Sequence, residues 1–518
     1  MSTPIYSVQE KTLFSKSLIW QINKDFYQQN GISAWTSGVV PHKITNSALA
    51  ATTYAELIYA FLKDLASNDQ TTHMVYILEL GAGHGRLCFN ILEHLNRLIS
   101  EDDECTTPYC YVLSDIVEEN LSYYDNHPRL QEYIERGILD ISYFDGTESQ
   151  ALNLRKSEKT ISFGELDQPI LTIANYFFDS LPNELFYIQD KTIFECSIAL
   201  DSTVNPVDKS PKELLEEMDL TYHKLQVKDP VFENKIYNEI LDQYGQLESD
   251  SYVLFPKTAL ECLANISALS KAGLLLLMMD KGYKEIQELK GMKVPDIVKH
   301  GSFSLWVNFH AISQFCILNG GISMLDSSTN FSIELGCFFF NKQALAYPQF
   351  AQTYLKHSKQ ISLDDFNSIK KFIFQNIGKA NLSELLGFVK LSSYDSTIFI
   401  SLLPAIKQLS KRLSNKQRER LGQTIDEVWL RHYAIKGDYD FSYELGGLMY
   451  DLGFYKGALD YFKYSTDTFG NKVDVYYNQI LCYYQLREDV LFYETLNEAK
   501  LKFPQTELLL SLEKLDMG

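Results

Sequence analysis

Residues Val75 to Leu87 read VYILELGAGHGRL, and this stretch restricts the fold of the chain more than any other: an apolar run of strand length closes on a carboxylate and breaks into three alternating glycines. Val75–Leu80 has the composition of a parallel strand buried on both faces. Gly81, Gly83 and Gly85 permit a tight turn in which the backbone can approach a ligand, and Cys88–Ile99 reads as a helix whose N-terminus faces that ligand. A strand, a glycine turn and a helix in this order open a nucleotide-type cofactor site, and they also make a plain structural turn. The spacing is G-x-G-x-G with Glu79 two residues before the first glycine, so it departs from the G-x-G-x-x-G of dinucleotide folds.

The segment resembles motif I of the class I S-adenosylmethionine-dependent methyltransferases. That resemblance implies an α/β fold with a Rossmann-like methyltransferase domain, S-adenosylmethionine as cofactor, and Glu79, Gly81, Gly83 and Gly85 among the cofactor-binding residues. The charge is suited to it, because this cofactor carries a zwitterionic methionine and a cationic sulfonium rather than a pyrophosphate.

A chain of 518 residues, 45% of them hydrophobic, suggests two or three domains with ample cores. Its formal charge of −20, from 47 Lys and Arg against 67 Asp and Glu, argues against a nucleic-acid binder and suits a basic protein or peptide partner. Eight cysteines are scattered without a C-x-x-C pair and read as reduced core thiols, with no metal site in view. The first residues lack the pattern of a signal peptide, and no apolar run approaches about 18 residues, so the expectation is a cytoplasmic protein with no membrane span.

Along the chain, residues 1–70 read as an N-terminal helical cap, including a helix over Ala48–Leu65. Strands follow at Val75–Leu80, Cys110–Asp115, Ile138–Phe144, Ile170–Asn175 and Ile193–Leu200, alternating with helices as in a parallel sheet. Residues 201–250 are polar and read as an insertion. Ala272–Asp280 resumes as a buried strand, and Gly320–Leu325 with Ser332–Phe340 supplies a terminal antiparallel pair, which closes a methyltransferase domain over residues 71–345. Residues 346–518 read as an all-α helical-repeat domain. There Leu445-Gly446, Tyr450, Leu452-Gly453, Tyr455, Ala458-Leu459 and Tyr461-Phe462 match the small and large positions of a tetratricopeptide helix pair, and Leu486 recurs 34 residues after Leu452.

Several residues at strand ends are chemically suited to the site. Asp115 closes the second strand, where an acid can accept both ribose hydroxyls, or can cap the next helix. Phe144 and Asp145 close the third; they can stack on adenine and accept its amine, or form a turn. Asn175 ends the fourth strand and joins the cofactor-binding set. Asp179, just beyond it, is positioned to orient an amine or guanidinium, or to cap a turn, and Glu184 is a second catalytic candidate. His84 reads as a solvent-facing loop residue, and His300 and His310 as structural.

ILTIANYFFDSLPNELFYI, over Ile170–Ile188, resembles the A-N-E-x-x-D-A-L-P signature of the MidA family, which includes the mitochondrial methyltransferase that dimethylates an arginine of a complex I subunit. GLLLLMMDKGY (Gly273–Tyr283), His300-Gly301, VNFHAI (Val307–Ile312) and Gly320-Gly321 follow the family's order, so the resemblance spans roughly residues 20–340. The family's Glu after Asn is Tyr176 here, and the Asp of its V-D-F segment is Asn308, so two acidic positions that would orient a cationic substrate are neutral. The resemblance implies a methyltransferase; the repeat array, which offers a concave peptide-binding surface, and the acidic charge balance, which suits a basic partner, point to a protein side-chain nitrogen as acceptor, with the repeats recruiting that protein. The alternatives are a catalytically silent scaffold working through its repeats, and an enzyme that methylates a small molecule.

Overall fold

The structure is a computed structural model, and it describes residues 5–36, 44–67, 73–102, 105, 107–227, 230–295, 297–299, 302–325, 333–341, 347–359, 362–435, 439–504 and 506–512. His300 and Gly301 lie outside the described residues, as does part of the loop over 31–45. Two compact units are present, Met1–Asn367 and Ser368–Gly518.

The first unit is organised by a sheet of seven strands: β1 (Val75–Leu80), β2 (Tyr109–Asp115), β3 (Leu139–Tyr143), β4 (Ile170–Asn175), β5 (Leu274–Asp280), β6 (Ile322–Leu325) and β7 (Glu334–Phe339), in the order β6-β7-β5-β4-β1-β2-β3. Strands β1 to β5 run parallel, while β7 lies antiparallel to both β5 and β6. Every residue of β1 and β5 is buried, which is why both read as unbroken apolar runs. The direction of winding reverses between β1 and β4, since β2 follows β1 on one side and β4 lies on the other. In an open α/β sheet the crevice at such a reversal, outside the carboxyl ends of the strands, is where a ligand is held.

Three expectations are corrected here. Ile193–Leu200 lies in no parallel sheet; it is part of the strand Thr192–Ser202, the centre of a second, antiparallel sheet. Residues 201–250 are not a separate insertion, because Met218–Gln226 pairs along nearly the whole of Thr192–Ser202. The chain start is not wholly helical either, for Tyr6–Leu13 is a strand on the other edge of Thr192–Ser202, which it shares with Glu184–Gln189. The cause is common to all three: Met218–Gln226 and Tyr6–Leu13 expose much of their surface, and their partners are remote in sequence, so alternation was faint and pairing invisible locally.

The helix Pro348–Lys359 belongs to the first unit rather than to the helical second one. The Asp64 carboxylate accepts from the backbone N–H groups of Gln349 (3.1 Å) and Phe350 (2.9 Å), satisfying donors at that helix's start. Phe350 is buried against Phe61 and Phe339, and Glu56 meets Lys356 and His357. The amphipathic signal of a helix says nothing about which body it covers, so the boundary at 345 read from the sequence falls short of the division at 367.

The second unit is all-helical among the described residues. Phe441–Asp451, Tyr455–Phe469, Val473–Leu486 and Asp489–Lys502 pack each on the next in sequence. Gly446 is obligatory in its pair, since a Cβ there would fall 2.6 Å from the Phe462 ring. Ala458 is fully buried, and Gly453 turns the chain at φ +84°.

Candidate functional site

The glycine turn after β1 is built as the sequence suggests. Gly81, Gly83 and Gly85 have φ of +57°, +63° and +79°, a region that glycine enters without steric cost. A Cβ on Gly83 would meet the indole of Trp35 at 3.0 Å, so this turn is also where another element approaches closely. Gly85 is the N-cap of the helix Arg86–Ser100, whose first turn points toward the crevice.

Asp115 secures this turn. Its carboxylate accepts from Gly83 N (3.1 Å), Val117 N (2.9 Å) and Asn120 Nδ2 (3.1 Å), and the single hydroxyl proton of Tyr124 is shared between the Gly83 carbonyl (2.6 Å) and Asp115 (3.3 Å). Three donors and a shared fourth nearly exhaust a carboxylate's capacity. Burial still holds its pKa above the ordinary value, against the lowering effect of those donors. Glu79 is buried as well, and its carboxyl accepts from Tyr111 Oη at 2.7 Å. Burial pushes it up to about 8, against the lowering effect of that hydrogen bond and helped by the nearby Asp115.

His84 is corrected. It is not solvent-facing but fully buried, with Nδ1 accepting from Arg86 N at 3.2 Å, so the ring satisfies a donor at the helix start. Polarity and a glycine-rich context suggested exposure; Trp35, stacked edge-on against the ring at 6.2 Å, covers it instead.

These groups open onto a cavity of about 350 Å³ lined by Glu79, Gly81, Gly83, Asp115, Phe144, Asp145, Asn175 and Asp179. Eight sequence-predicted site residues therefore converge on one space. Asp145 meets Lys24 Nζ at 2.7 Å and Thr147 N and Oγ1 at 2.9 and 2.7 Å. Burial would raise its pKa, and these partners outweigh burial to hold it below the ordinary carboxylate value. Asn175 Oδ1 accepts from Tyr54 Oη and from Met279 N, tying β4 to β5 and to the helix Ala48–Ser67. Asp179 sits in the short 3-10 turn Phe178–Ser180; it is 6% exposed and its Oδ1 has no hydrogen-bond partner.

Two predicted residues lie outside this lining. Gly85 stands one step back as the helix cap. Glu184 begins a strand of the antiparallel sheet and accepts from Ser15 Oγ at 2.6 Å, so the structure gives it no place among the catalytic groups. Asn308 is also remote: it caps the helix Phe309–Leu318, accepting from Ala311 N at 2.9 Å, and donates to the Leu254 carbonyl. Its neutrality therefore has no bearing on a substrate in the cavity. Tyr176, by contrast, does line it, with φ at +48°. His310 is buried against Tyr244 Oη at 3.0 Å, as a structural histidine should be, and burial lowers its pKa.

Sequence reasoning missed Lys24, Tyr27, Trp35, Asp280 and Lys281, all of which line the cavity. Asp280 was within reach, because it ends the apolar strand β5 as Asp115 ends β2, beside the Met279 that pairs with Asn175. Lys281 follows Asp280 directly at the same strand end, whereas Lys24, Tyr27 and Trp35 come from segments with no strand-end signal. Among the described residues no cluster of His, Cys, Asp and Glu could hold a metal ion, and no helix is long and apolar enough to cross a membrane.

A glycine turn that brings the backbone close, acids at successive strand ends and a cavity at the reversal of winding together define a nucleotide-type cofactor site of the Rossmann-like kind. Residues 55–300 match the model of a family described as "Putative S-adenosyl-L-methionine-dependent methyltransferase". The chain carries an S-adenosylmethionine-dependent methyltransferase domain, and S-adenosylmethionine is its cofactor. No curated protein matches the chain significantly. Among solved structures, a Burkholderia thailandensis protein bound to S-adenosyl-homocysteine is 14% identical, with 68% of this chain and 86% of that one covered at a TM-score of 0.39. An uncharacterised protein from the same organism is 13% identical over 65% and 90%, with a TM-score of 0.40. Magnesium protoporphyrin IX methyltransferase from Synechocystis with bound S-adenosyl-homocysteine is 9% identical over 62% and 98%, with a TM-score of 0.28. Likenesses at these scores bear on neither substrate nor mechanism.

Proposed function

We propose that this methyltransferase acts on a protein side-chain nitrogen and that its helical unit carries the surface for a protein partner. The observation that supports a nitrogen acceptor is Asp179: a buried carboxyl with an unpartnered oxygen, in the same cavity as the glycine turn and Glu79. The cofactor supplies an electrophilic methyl group, so the work left to this chain is positioning and the management of one proton. Gly81 and Gly83 admit the cofactor to the backbone. Glu79 would hold its positive charge, and Asp115, Asp145 and Phe144, which line the same cavity, would hold its nucleoside part. Asp179 orients the attacking nitrogen and removes solvent competition for it by its burial.

The reading is tested by calorimetry with S-adenosyl-homocysteine and by intact-mass analysis of proteins that co-purify with the full chain and take up label from the cofactor. Gly83→Arg, which fills the turn, should abolish cofactor binding while the fold survives. Normal binding in that variant, or tight NAD binding by the parent, would overturn it. Tyr176, neutral where the family has an acid, favours a catalytically silent scaffold as the second reading. That reading predicts cofactor binding without methyl transfer to any co-purified protein.

A further inference from the structure

We infer that Asp179 and Asp280 work as a pair that receives the acceptor nitrogen as a cation and takes its proton before methyl transfer; the inference rests on the methyltransferase reading above. The two carboxyls come from adjacent parts of the sheet. Asp280 ends β5, and Asp179 follows β4, whose Asn175 pairs with Met279. Both line the cavity, and they are 6% and 1% exposed respectively. Asp280 accepts from Lys281 N at 2.8 Å, and the Tyr176 backbone N–H acts on the same carboxyl; its Oδ2, like Asp179 Oδ1, has no partner at hydrogen-bond geometry. Buried carboxyl oxygens are ordinarily satisfied, so two unpartnered oxygens on residues that line one cavity mark a place where a ligand supplies the donors.

The charges around the pair support a cation. Burial raises both pKa values, and the nearness of Asp179 raises that of Asp280 further, so the pair shares protons instead of carrying two negative charges. Lys281, exposed at the rim, is the cation that acts on both. Tyr176 is near both carboxyls, Tyr27, whose hydroxyl donates to Ser302, is near Asp179, and Tyr54, whose hydroxyl donates to Asn175, is near Asp280; burial raises each, that of Tyr27 to about 12, so all three stay neutral. Lys24, the other lysine of the cavity, is taken up by Asp145. An alcohol or thiol acceptor offers one proton to two orphan oxygens, whereas an alkylammonium or guanidinium offers at least two donors and a matching charge.

The step balances as follows. A proton passes from the cationic nitrogen to the pair, leaving a neutral nitrogen with a lone pair. The N–C bond then forms as the cofactor's S–C bond breaks, the electron pair of that bond stays on sulfur as a neutral thioether, and the methylated nitrogen carries the positive charge. Asp280 is in this scheme a catalytic residue equal to Asp179, which no single-acid model requires.

The test uses the full chain loaded with S-adenosyl-homocysteine, titrated calorimetrically with n-butylammonium and, as a neutral counterpart, n-butanol, between pH 6 and 9 in buffers of differing ionisation enthalpy. n-Butylammonium should bind with proton release and about tenfold more tightly per pH unit until the pair is ionised, while n-butanol should not bind. Asp280→Asn and Asp179→Asn should each weaken n-butylammonium at least tenfold and abolish the proton release, with S-adenosyl-homocysteine affinity within about twofold of the parent. Each should also hold or raise Tm at pH 8, because a carboxyl whose folded pKa is raised loses stability as pH rises, and the amide does not. An acid that merely braces the fold would lower Tm instead. Unchanged n-butylammonium binding in Asp280→Asn, equal binding of n-butanol, or pH-independent binding overturns the inference. Should one variant fail to fold, the other carries the same measurements. A parent that binds S-adenosyl-homocysteine but not n-butylammonium refutes the pair alone; a parent that binds neither refutes the methyltransferase reading.

Discussion

Glu79→Gln is the sharpest perturbation of the cofactor site, because one group governs both stability and binding. Burial holds the Glu79 carboxyl at about 8 instead of 4.5, so it is protonated at pH 7 in the ligand-free protein. A tenfold change in acidity is worth about 1.4 kcal/mol, and ionising this carboxyl in the empty site therefore costs about 5 kcal/mol more than in water. A positive charge brought against it reverses the preference. Cofactor binding should accordingly release a proton, and affinity should rise about tenfold per pH unit from 6 to 8 and level off above 8. The glutamine variant cannot ionise, so its affinity should be flat with pH, and at pH 8 the loss of a charge-assisted contact, about 1.5–3 kcal/mol, should weaken binding ten- to hundredfold. Stability runs the other way. A carboxyl with a raised folded pKa contributes fully below pH 4.5 and loses that contribution as pH rises to about 8, so the variant should gain on the parent in Tm between those limits. Tyr111 keeps an acceptor in the amide, and packing is little changed. Calorimetry in two buffers and a thermal melt at pH 5 and 8 read all of this. A parent whose cofactor affinity is independent of pH, with no proton released, would refute the assignment of Glu79 to the cofactor's positive charge.

Asp115→Ala strips three donors and the shared hydroxyl of Tyr124 of an acceptor and should lower the stability of the ligand-free protein by about 2–4 kcal/mol, seen in urea unfolding. If stability holds while cofactor affinity falls tenfold, Asp115 serves the ribose alone. Lys24→Met leaves the buried Asp145 carboxylate without its cation and should lower stability by about 1–3 kcal/mol, since Thr147 still donates to it. It should also speed cofactor release in stopped flow, since the helix Leu18–Asn30 borders the cavity; an unchanged rate would remove that helix from the exit path. A chain ending at residue 367 should bind the cofactor in calorimetry, whereas one ending at 345 loses the helix that covers Phe61 and Phe339 and should aggregate. Equal solubility of the two would show that this helix is dispensable.

The sequence by itself determined the cofactor half of this protein. β1 could be read because a strand buried on both faces is apolar throughout, and the glycine turn because φ values near +60° leave few alternatives to glycine at three close positions. Asp115, Asp145 and Asn175 followed from the rule that side chains at the carboxyl ends of parallel strands meet at the reversal of winding. Each of these signals is local, carried within a few residues. The tertiary structure decided the rest. Whether Asp115 faces a ligand or holds a turn depends on Gly83, Asn120 and Tyr124, which only folding brings to it. Glu184 and Asn308 looked like site residues by their neighbours in sequence, and the antiparallel sheet and a helix cap carry them elsewhere. His84 went from loop to core because Trp35 covers it. The second carboxyl of the site, Asp280, lies 101 residues beyond Asp179 in the chain and acquires its meaning from the parallel pairing of β4 with β5. Burial and pairing between distant segments set its proton affinity, and neither is encoded in any stretch short enough to be read as a motif.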